Sequence, residues 1–203
     1  MSVVTVNFEL EGVTPLSFSK AVQSEKNSGE SHEEFEARTW RERLHVDKDG
    51  ICYVPPMMMK RAIEWTAKYM SETIPGKGKK TWTQKCVAGI MCVEPLSLGV
   101  RAEDVDGEWV FVPADGQPGG GKRVWKKFPF IEPGWKCEGQ YIIVDPLLIE
   151  PRGIRKIQEY LTITGQVDGL GRFAPRRGGY YGRFKVTAFD CPEIPNWNQN
   201  KEG

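Results

Sequence analysis

Hydrophobic and polar residues alternate near both ends of the chain, over residues 4–10 and 184–189. A period of two residues predicts strands that bury one face. Short continuous apolar runs predict strands that lie deeper in a core. The further strands are predicted at 51–54, 86–93 and 141–144, with a hairpin between 109–112 and 124–125.

Two helices are predicted from apolar residues at helical spacing. The first runs from about residue 56 to 71 after a pair of prolines suited to a helix start, and Trp65 and Tyr69 fall on its apolar face. The second opens at Pro151 and has a suitable C-cap in Gly165. Each helix therefore presents one apolar side to a sheet.

This order of elements predicts an α+β fold of the ferredoxin-like or RRM-like type. Two helices on one face of an antiparallel sheet satisfy the order with short connections, and the uncovered face is expected to receive single-stranded nucleic acid. The charged stretch 23–49 is interpreted as a loop with a short helix around 33–44. We expect one domain over residues 1–191, insertions at about 19–50 and 75–135 (the latter strand-rich with a basic hairpin), and a flexible tail over 192–203.

Composition narrows the possible classes of protein. The 203 residues include 28 basic and 27 acidic ones, for a net charge of +1, and 39% are hydrophobic, which is enough for a core. Five cysteines without a CxxC pair argue against a disulfide framework or a zinc knuckle and favour a cytoplasmic protein. No apolar run is long enough for a membrane span, so no membrane partner is expected. The acidic stretch 30–36 lacks the spacing of a metal-binding loop, and neither metal nor cofactor is predicted.

The most informative stretch is the glycine-rich segment, residues 169–184. It holds five glycines, four arginines and two adjacent tyrosines, and no acidic residue occurs from 169 to 189. Glycine lets a main chain approach a ligand closely, arginine binds phosphates, and tyrosine can stack on a base. The predicted nucleic-acid contacts are Gly169, Gly171, Arg172, Arg176, Arg177, Gly179, Tyr180, Tyr181 and Arg183. An ordinary hairpin that happens to carry arginines is the structural alternative, whereas a dinucleotide site is disfavoured because the segment follows a helix and precedes a strand.

Two further basic patches alternate with aromatic residues and are predicted to contribute to the same binding. The alternative is that each is a solvated loop. The glycines at 119–121 are expected to make the tip of the second patch mobile. The first patch comprises Lys77, Lys79, Lys80 and Lys85 around Trp82, and the second comprises Lys122, Arg123, Lys126 and Lys127 around Trp125. Of the first patch, Lys79, Lys80 and Trp82 are the predicted contacts.

Several motifs resemble the repeat-associated (RAMP) superfamily of CRISPR systems. The stretch 13–18 follows the first strand, 52–56 leads into a helix that carries Lys60-Arg61, and the glycine-rich stretches 169–171 and 179–184 follow the second helix. The resemblance covers about residues 1–72 and 140–190. It implies a modified RRM core that binds RNA, either as a backbone subunit along a guide RNA or as an endoribonuclease. The basic hairpin resembles the thumb with which backbone subunits of this family hold their strand. A free-standing phage relative fits the same motifs.

Three functions remain open at this point. The first is a binder of RNA or single-stranded DNA without enzymatic activity, which would assemble with copies of itself or with CRISPR effector subunits. The second is a metal-independent endoribonuclease, for which His32 and His45 are the candidate bases, although histidines in a charged surface stretch are more often bystanders. The third is a protein that mimics a CRISPR subunit and acts through protein contacts.

Overall fold

The computed structural model describes residues 3–114 and 121–198, and the bounds of its elements are as follows. The strands are β1 (Val4–Gly12), β2 (Leu16–Ser17), β3 (Ile51–Val54), β4 (Ile90–Met91), β5 (Leu96–Arg101), β6 (Asp106–Pro113), β7 (Arg123–Ile131), β8 (Lys136–Ile143) and β9 (Phe184–Asp190). The helices are α1 (His32–Thr39), α2 (Pro56–Met70), α3 (Trp82–Gly89), α4 (Pro146–Ile149) and α5 (Pro151–Ile163). The α+β class with antiparallel strand pairing is confirmed.

The main sheet has the strand order β4-β8-β1-β9, with every pair antiparallel. One face of it belongs to the core, because Phe8 of β1 packs on Tyr141 of β8 at 4.7 Å between ring centroids and both are buried. Tyr141 also donates to the carbonyl of Met59 in α2 at 3.5 Å, so α2 covers this face. Helix α2 contacts α5, and Thr66 bonds Thr164 just beyond α5 at 2.8 Å.

The opposite face of the main sheet, called the open face below, is exposed and acidic. Glu9 and Glu138 lie directly opposite each other on β1 and β8, and Asn7 is paired with Gln140 and Asp190. These five side chains line a shallow depression of about 530 Å³. Binding of a nucleic-acid backbone needs positive charge. The described residues that line this depression include no lysine or arginine. The sequence-based expectation for the uncovered sheet face is therefore not supported by its chemistry.

A second sheet, of order β2-β7-β6, carries the predicted hairpin. Helix α1 and the 3-10 turn after it lie along the edge of β7 that faces away from β6. Glu36 accepts from the Lys127 amide at 3.2 Å, Arg43 donates to the Lys127 carbonyl at 3.1 Å, and the two side chains form an ion pair of 2.7 Å. His32 Nε2 bonds the Trp125 carbonyl at 2.9 Å. The charged stretch 23–49 thus covers a strand edge that would otherwise be open to pairing with another strand.

Two expectations about local structure are wrong. Residues 86–93, expected to form a strand, instead form the end of α3 followed by the two-residue β4. Lys60 of α2 stabilises that helix end by donating to the carbonyls of Cys86 at 3.0 Å and Val87 at 2.6 Å. Gly165 does not end the second helix, because the chain continues in a π-helical turn to Asp168 and turns at Gly169, whose φ is 68°.

The beginning of the predicted flexible tail packs against the main sheet. Trp197 is buried, stands edge-on to Phe189 at 5.2 Å and accepts from Arg155 through its carbonyl at 2.8 Å. Residues 199–203 of the tail, and residues 119–120 of the predicted mobile tip, lie outside the described residues. The ordered part of the tail therefore belongs to the body of the protein.

We expect Glu36→Ala to lower the free energy of unfolding by roughly 3 to 5 kcal/mol, because it leaves the Arg43 guanidinium buried without its partner. Urea unfolding measures the loss. Glu30→Ala is the matched control, since Glu30 pairs at 2.8 Å with Arg38 on the exposed side of the same segment. It should cost much less. Equal losses in the two variants would show that the buried pair has no special role.

Candidate nucleic-acid interface

The glycine-rich segment packs on the turn between β1 and β2. Arg172 donates its amide to the Ser17 carbonyl at 2.7 Å, and Gly182 donates to the Pro15 carbonyl at 2.7 Å. Gly171 has a φ of 76°, and a Cβ there would lie 2.2 Å from the Ser17 oxygen. At Gly182, with a φ of 71°, a Cβ would lie 1.9 Å from the Leu170 oxygen. These glycines allow the protein's own main chains to approach one another, which differs from the ligand approach expected from the sequence.

This packing brings three of the four arginines of the segment to one cleft, opposite the start of α2. The cleft has a volume of about 330 Å³, and among its described lining residues none is acidic. We call it the basic cleft. Its cationic lining residues are Lys20, Arg61, Arg172, Arg176 and Arg177, and its other lining residues include His45, Pro55, Met57 and Met58.

The positive charges of the basic cleft crowd one another. Arg172 is half-buried, with its guanidinium 5.4 Å from the ring centroid of Phe128 and 5.1 Å from that of Phe173. Burial lowers the pKa of Arg172, and the neighbouring charges of Arg177 and Arg43 lower it further. A bound anion would lower the electrostatic repulsion among these cations.

Arg176 is the member of the cleft with an internal partner. Its Nε lies 3.1 Å from Oδ1 of Asp168, which has no exposed side-chain surface. Burial raises the pKa of Asp168 to about 7, although the charges of Arg176 and Arg177 act in the opposite direction. Arg176 was predicted to meet a phosphate. Part of the Arg176 guanidinium is used by this carboxylate. Arg177 and Arg61, which also line the cleft, are therefore the better candidates for phosphate contacts.

The remaining predicted residues of the segment divide between anchored and exposed ones. Tyr181 donates its hydroxyl to Glu108 of β6 at 3.0 Å, which holds the segment against the hairpin. Tyr180 is 59% exposed and leaves a ring face available for stacking. Arg183 lies outside the basic cleft and donates to the Gln166 carbonyl. Gly179 packs on Phe173, and Gly169 on Pro175, within the segment itself.

The first of the other basic patches does not form the predicted stacking site. Trp82 is only 2% exposed, so no base can reach its ring, and we correct this assignment. Lys79 and Lys80 are exposed on the loop before it, and Lys85 pairs with Asp145 at 3.0 Å.

The second patch carries its cations on both faces of the hairpin. The cations Arg123 and Lys127 share one face with the exposed rings of Phe111 and Trp125, whose centroids are 5.2 Å apart. Lys126 points to the other face and donates to the Ala114 carbonyl at 3.3 Å. Lys122 is exposed next to the hairpin tip. This patch keeps the mixture of rings and cations that the sequence predicted.

The two histidines have different surroundings. His32 is occupied by its bond to the Trp125 carbonyl, which gives it a structural task. His45 lines the basic cleft, stands edge-on to Phe18 at 5.5 Å, and has its pKa lowered by burial and by the charge of Lys20. It is therefore largely neutral near pH 7 and able to accept a proton.

The sequence-based set of predicted contacts includes neither Lys20 nor Arg61. Arg61 lies in the helix that follows the stretch 52–56, one of the motifs behind the family resemblance. This position was the one indication in the sequence that Arg61 could belong to the site. Nothing near Lys20 in the sequence indicates the cleft, because the contact depends on long-range packing of the segment before α1.

Comparison with known proteins gives a likeness of fold. No protein-family model matches the chain, and no curated protein matches it. The fold is similar to that of a chain in the cryo-EM structure of the Type III-B Cmr-beta bound to cognate target RNA, with a TM-score of 0.53 and 12% sequence identity. The match covers 93% of this chain and 60% of that chain, so this protein spans well under two thirds of the neighbour's length.

Among residues 3–114 and 121–198, no helix combines the length and the apolar character needed to cross a bilayer. Within the same residues, no three histidine, cysteine or acidic side chains are grouped so that they could hold a metal ion.

The buried Asp168 predicts a pH dependence of stability. Because its pKa is raised on folding, its contribution is most favourable below about pH 4, the pKa of an exposed aspartate, and is lost as the pH rises to about 7. Asp168→Asn should flatten the stability of the protein over this range in urea unfolding. Asp190→Asn, which removes an exposed carboxyl of the open face, should leave the slope as in the wild type. An unchanged slope in Asp168→Asn would contradict the assignment.

Proposed function

We propose that this protein binds RNA, or another single-stranded nucleic acid, by gripping the phosphate backbone in the basic cleft. The observation that carries the proposal is the set of five cationic side chains around one cavity without an acidic lining residue. Phosphates of a single strand are spaced so that adjacent groups can each meet a lysine or an arginine. The proposed binding has little sequence preference, because contacts to phosphates carry no sequence information.

The charge distribution over the molecule supports this choice of surface. The open face of the main sheet is the surface where an RRM receives single strands. Here it carries more acidic than basic side chains: Glu9, Glu11, Glu138 and Asp190 against Lys136 and Lys185. A polyanion is repelled from that face and attracted to the cleft on the helical side. The proposed binding mode therefore keeps an RRM-like scaffold but uses a different surface.

We further propose that the protein is a RAMP-type relative of CRISPR effector subunits. The strand order β4-β8-β1-β9 is the one expected when a β-α-β-β-α-β chain folds into a ferredoxin-like sheet, which supports this core. The fold likeness to a chain of a Cmr assembly bound to target RNA, together with the motifs around Pro55 and Gly169, points the same way. In this proposal the partners are RNA, further copies of the chain along the strand, or effector subunits. The proposal also covers a free-standing relative carried by a phage.

The basic cleft predicts a specific loss on mutation. Arg61→Ala combined with Arg177→Ala should weaken binding to a labelled single-stranded RNA by tenfold or more in fluorescence anisotropy. Each phosphate contact contributes roughly 0.7 to the slope of log affinity against log salt for single strands, so the slope should fall by roughly 1.4. We avoid Arg176→Ala because it would leave buried Asp168 without its partner.

Lys26→Ala with Lys48→Ala is the matched control for this experiment. It removes the same charge from exposed positions outside the cleft and outside the predicted basic patches, and it should change affinity much less. Equal losses in both double variants would mean that RNA responds to overall charge and would refute the cleft.

A second candidate function is favoured by the place of His45. An imidazole beside bound phosphates, with its pKa lowered, can take the proton of a 2′-hydroxyl in metal-independent cleavage of RNA. If the protein is such an endoribonuclease, it should cleave labelled RNA in EDTA, and His45→Ala should abolish cleavage while retaining binding. His32→Ala should still cleave, because His32 bonds a backbone carbonyl. Intact RNA after incubation with a binding-competent wild type would exclude the enzyme.

A further inference from the structure

A second cavity continues the basic cleft along α2. It has a volume of about 470 Å³ and shares three lining residues, Arg61, Arg176 and Arg177, with the first. Its other lining residues are Glu64, Trp65 and Lys68 of α2. The cations at the junction therefore face both cavities, and a strand held in one can continue into the other without leaving positive surface.

The acidic lining residue of this second cavity is neutralised within its own helix. Glu64 forms an ion pair of 2.7 Å with Lys60 one turn earlier. Lys60 is in turn fixed by its bonds to the carbonyls at the end of α3. Glu64 consequently does not oppose an anion as a free carboxylate would, and Lys68 adds an exposed cation at the far side.

Trp65 is the aromatic side chain of this cavity, and its ring is held in place from behind. Tyr69, one turn later on α2, stacks on it with 5.2 Å between ring centroids and 10° between ring planes. The sequence assigned both rings to the apolar core face. Tyr69 is in fact 63% exposed and Trp65 is half-buried, so the pair lies at the surface beside the cations. Rings exposed next to phosphate-binding groups are the arrangement that single-strand binding sites use to stack bases.

We propose that Trp65 is a base-stacking subsite for the nucleotide that follows the phosphates held in the basic cleft, with Tyr69 as the positioning residue behind it. This inference rests on the proposed function and adds the path of the strand, which runs from Lys20 past Arg61 and Arg177 to Trp65. The ligand class is a single-stranded nucleic acid with bases. A ribose-phosphate polymer without bases would contact the cations but could not stack on the Trp65 ring.

The test compares two ligands of equal length and charge, an oligouridine and the corresponding abasic ribose-phosphate oligomer, at the same salt concentration. Wild type should prefer the oligomer with bases. Trp65→Leu, which keeps apolar bulk but removes the ring, should reduce that preference by between about 5-fold and 100-fold, the range for stacking of one base. Trp65→Phe should restore part of it. Tyr69→Leu should give a smaller reduction with the Trp65 ring still present.

Two control variants make the outcomes distinct. Arg61→Ala should weaken both ligands by the same factor, because it removes a phosphate contact only. Trp109→Leu changes an exposed tryptophan on the hairpin that lines neither cavity, and it should retain the preference; a loss of preference there would move the stacking site away from Trp65. A folded Trp65→Leu protein with the full wild-type preference would overturn the inference and leave the proposed function standing. Failure of wild type to bind either ligand would overturn the proposed function itself. If Trp65→Leu does not fold, Trp65→Phe and Tyr69→Leu are used instead. A reduced preference for the oligomer with bases in both variants supports the inference, and the full wild-type preference in both overturns it.

Discussion

The arrangement of this surface depends on one close contact between main chains, the packing of the glycine-rich segment on the turn after β1. At Gly171 the space for a side chain is already taken by the Ser17 carbonyl, and at Gly182 by the Leu170 carbonyl. Both glycines also have positive φ values, which other residues adopt only at a cost. The segment therefore has one well-defined path, and this path carries Arg172 and Arg177 to the start of α2.

The cost of gathering cations on that path is visible in their surroundings. Arg172 rests between two aromatic rings instead of pairing with an acid, and Arg176 is stabilised by a carboxylate whose own pKa burial has raised. Elsewhere the chain pairs charges inside its fold, as Arg43 does with Glu36. This contrast supports the proposal that the charge in the cleft serves a ligand, because like charges held close together repel one another.

The sequence predicted the elements better than it predicted the site. Alternation located β1 and β9, and the proline pair located the start of α2, because these signals are local. The run at 86–93 misled because a short apolar stretch fits a strand or a buried helix equally well, and the contacts from Lys60 that favour the helix are distant in sequence.

The same limit applies to the site residues. The acid-free run drew attention to Arg172 and Arg177, and the fold places both in the basic cleft. Asp168, which pairs with Arg176, stands immediately before the glycine-rich segment. Lys20 and Trp65 join the surface only through tertiary packing. Trp82 shows the opposite error, since a ring among lysines in the sequence turned out to belong to the core.

The proposed position of nucleic acid is the basic cleft, on the helical side of the sheet. It can be located by photo-crosslinking of thiouridine-labelled RNA to the intact protein, followed by mass spectrometry of the linked peptides. We expect crosslinks in the peptides that contain the start of α2 and the glycine-rich segment. Crosslinks concentrated on Asn7 and Gln140 of the open face would contradict it.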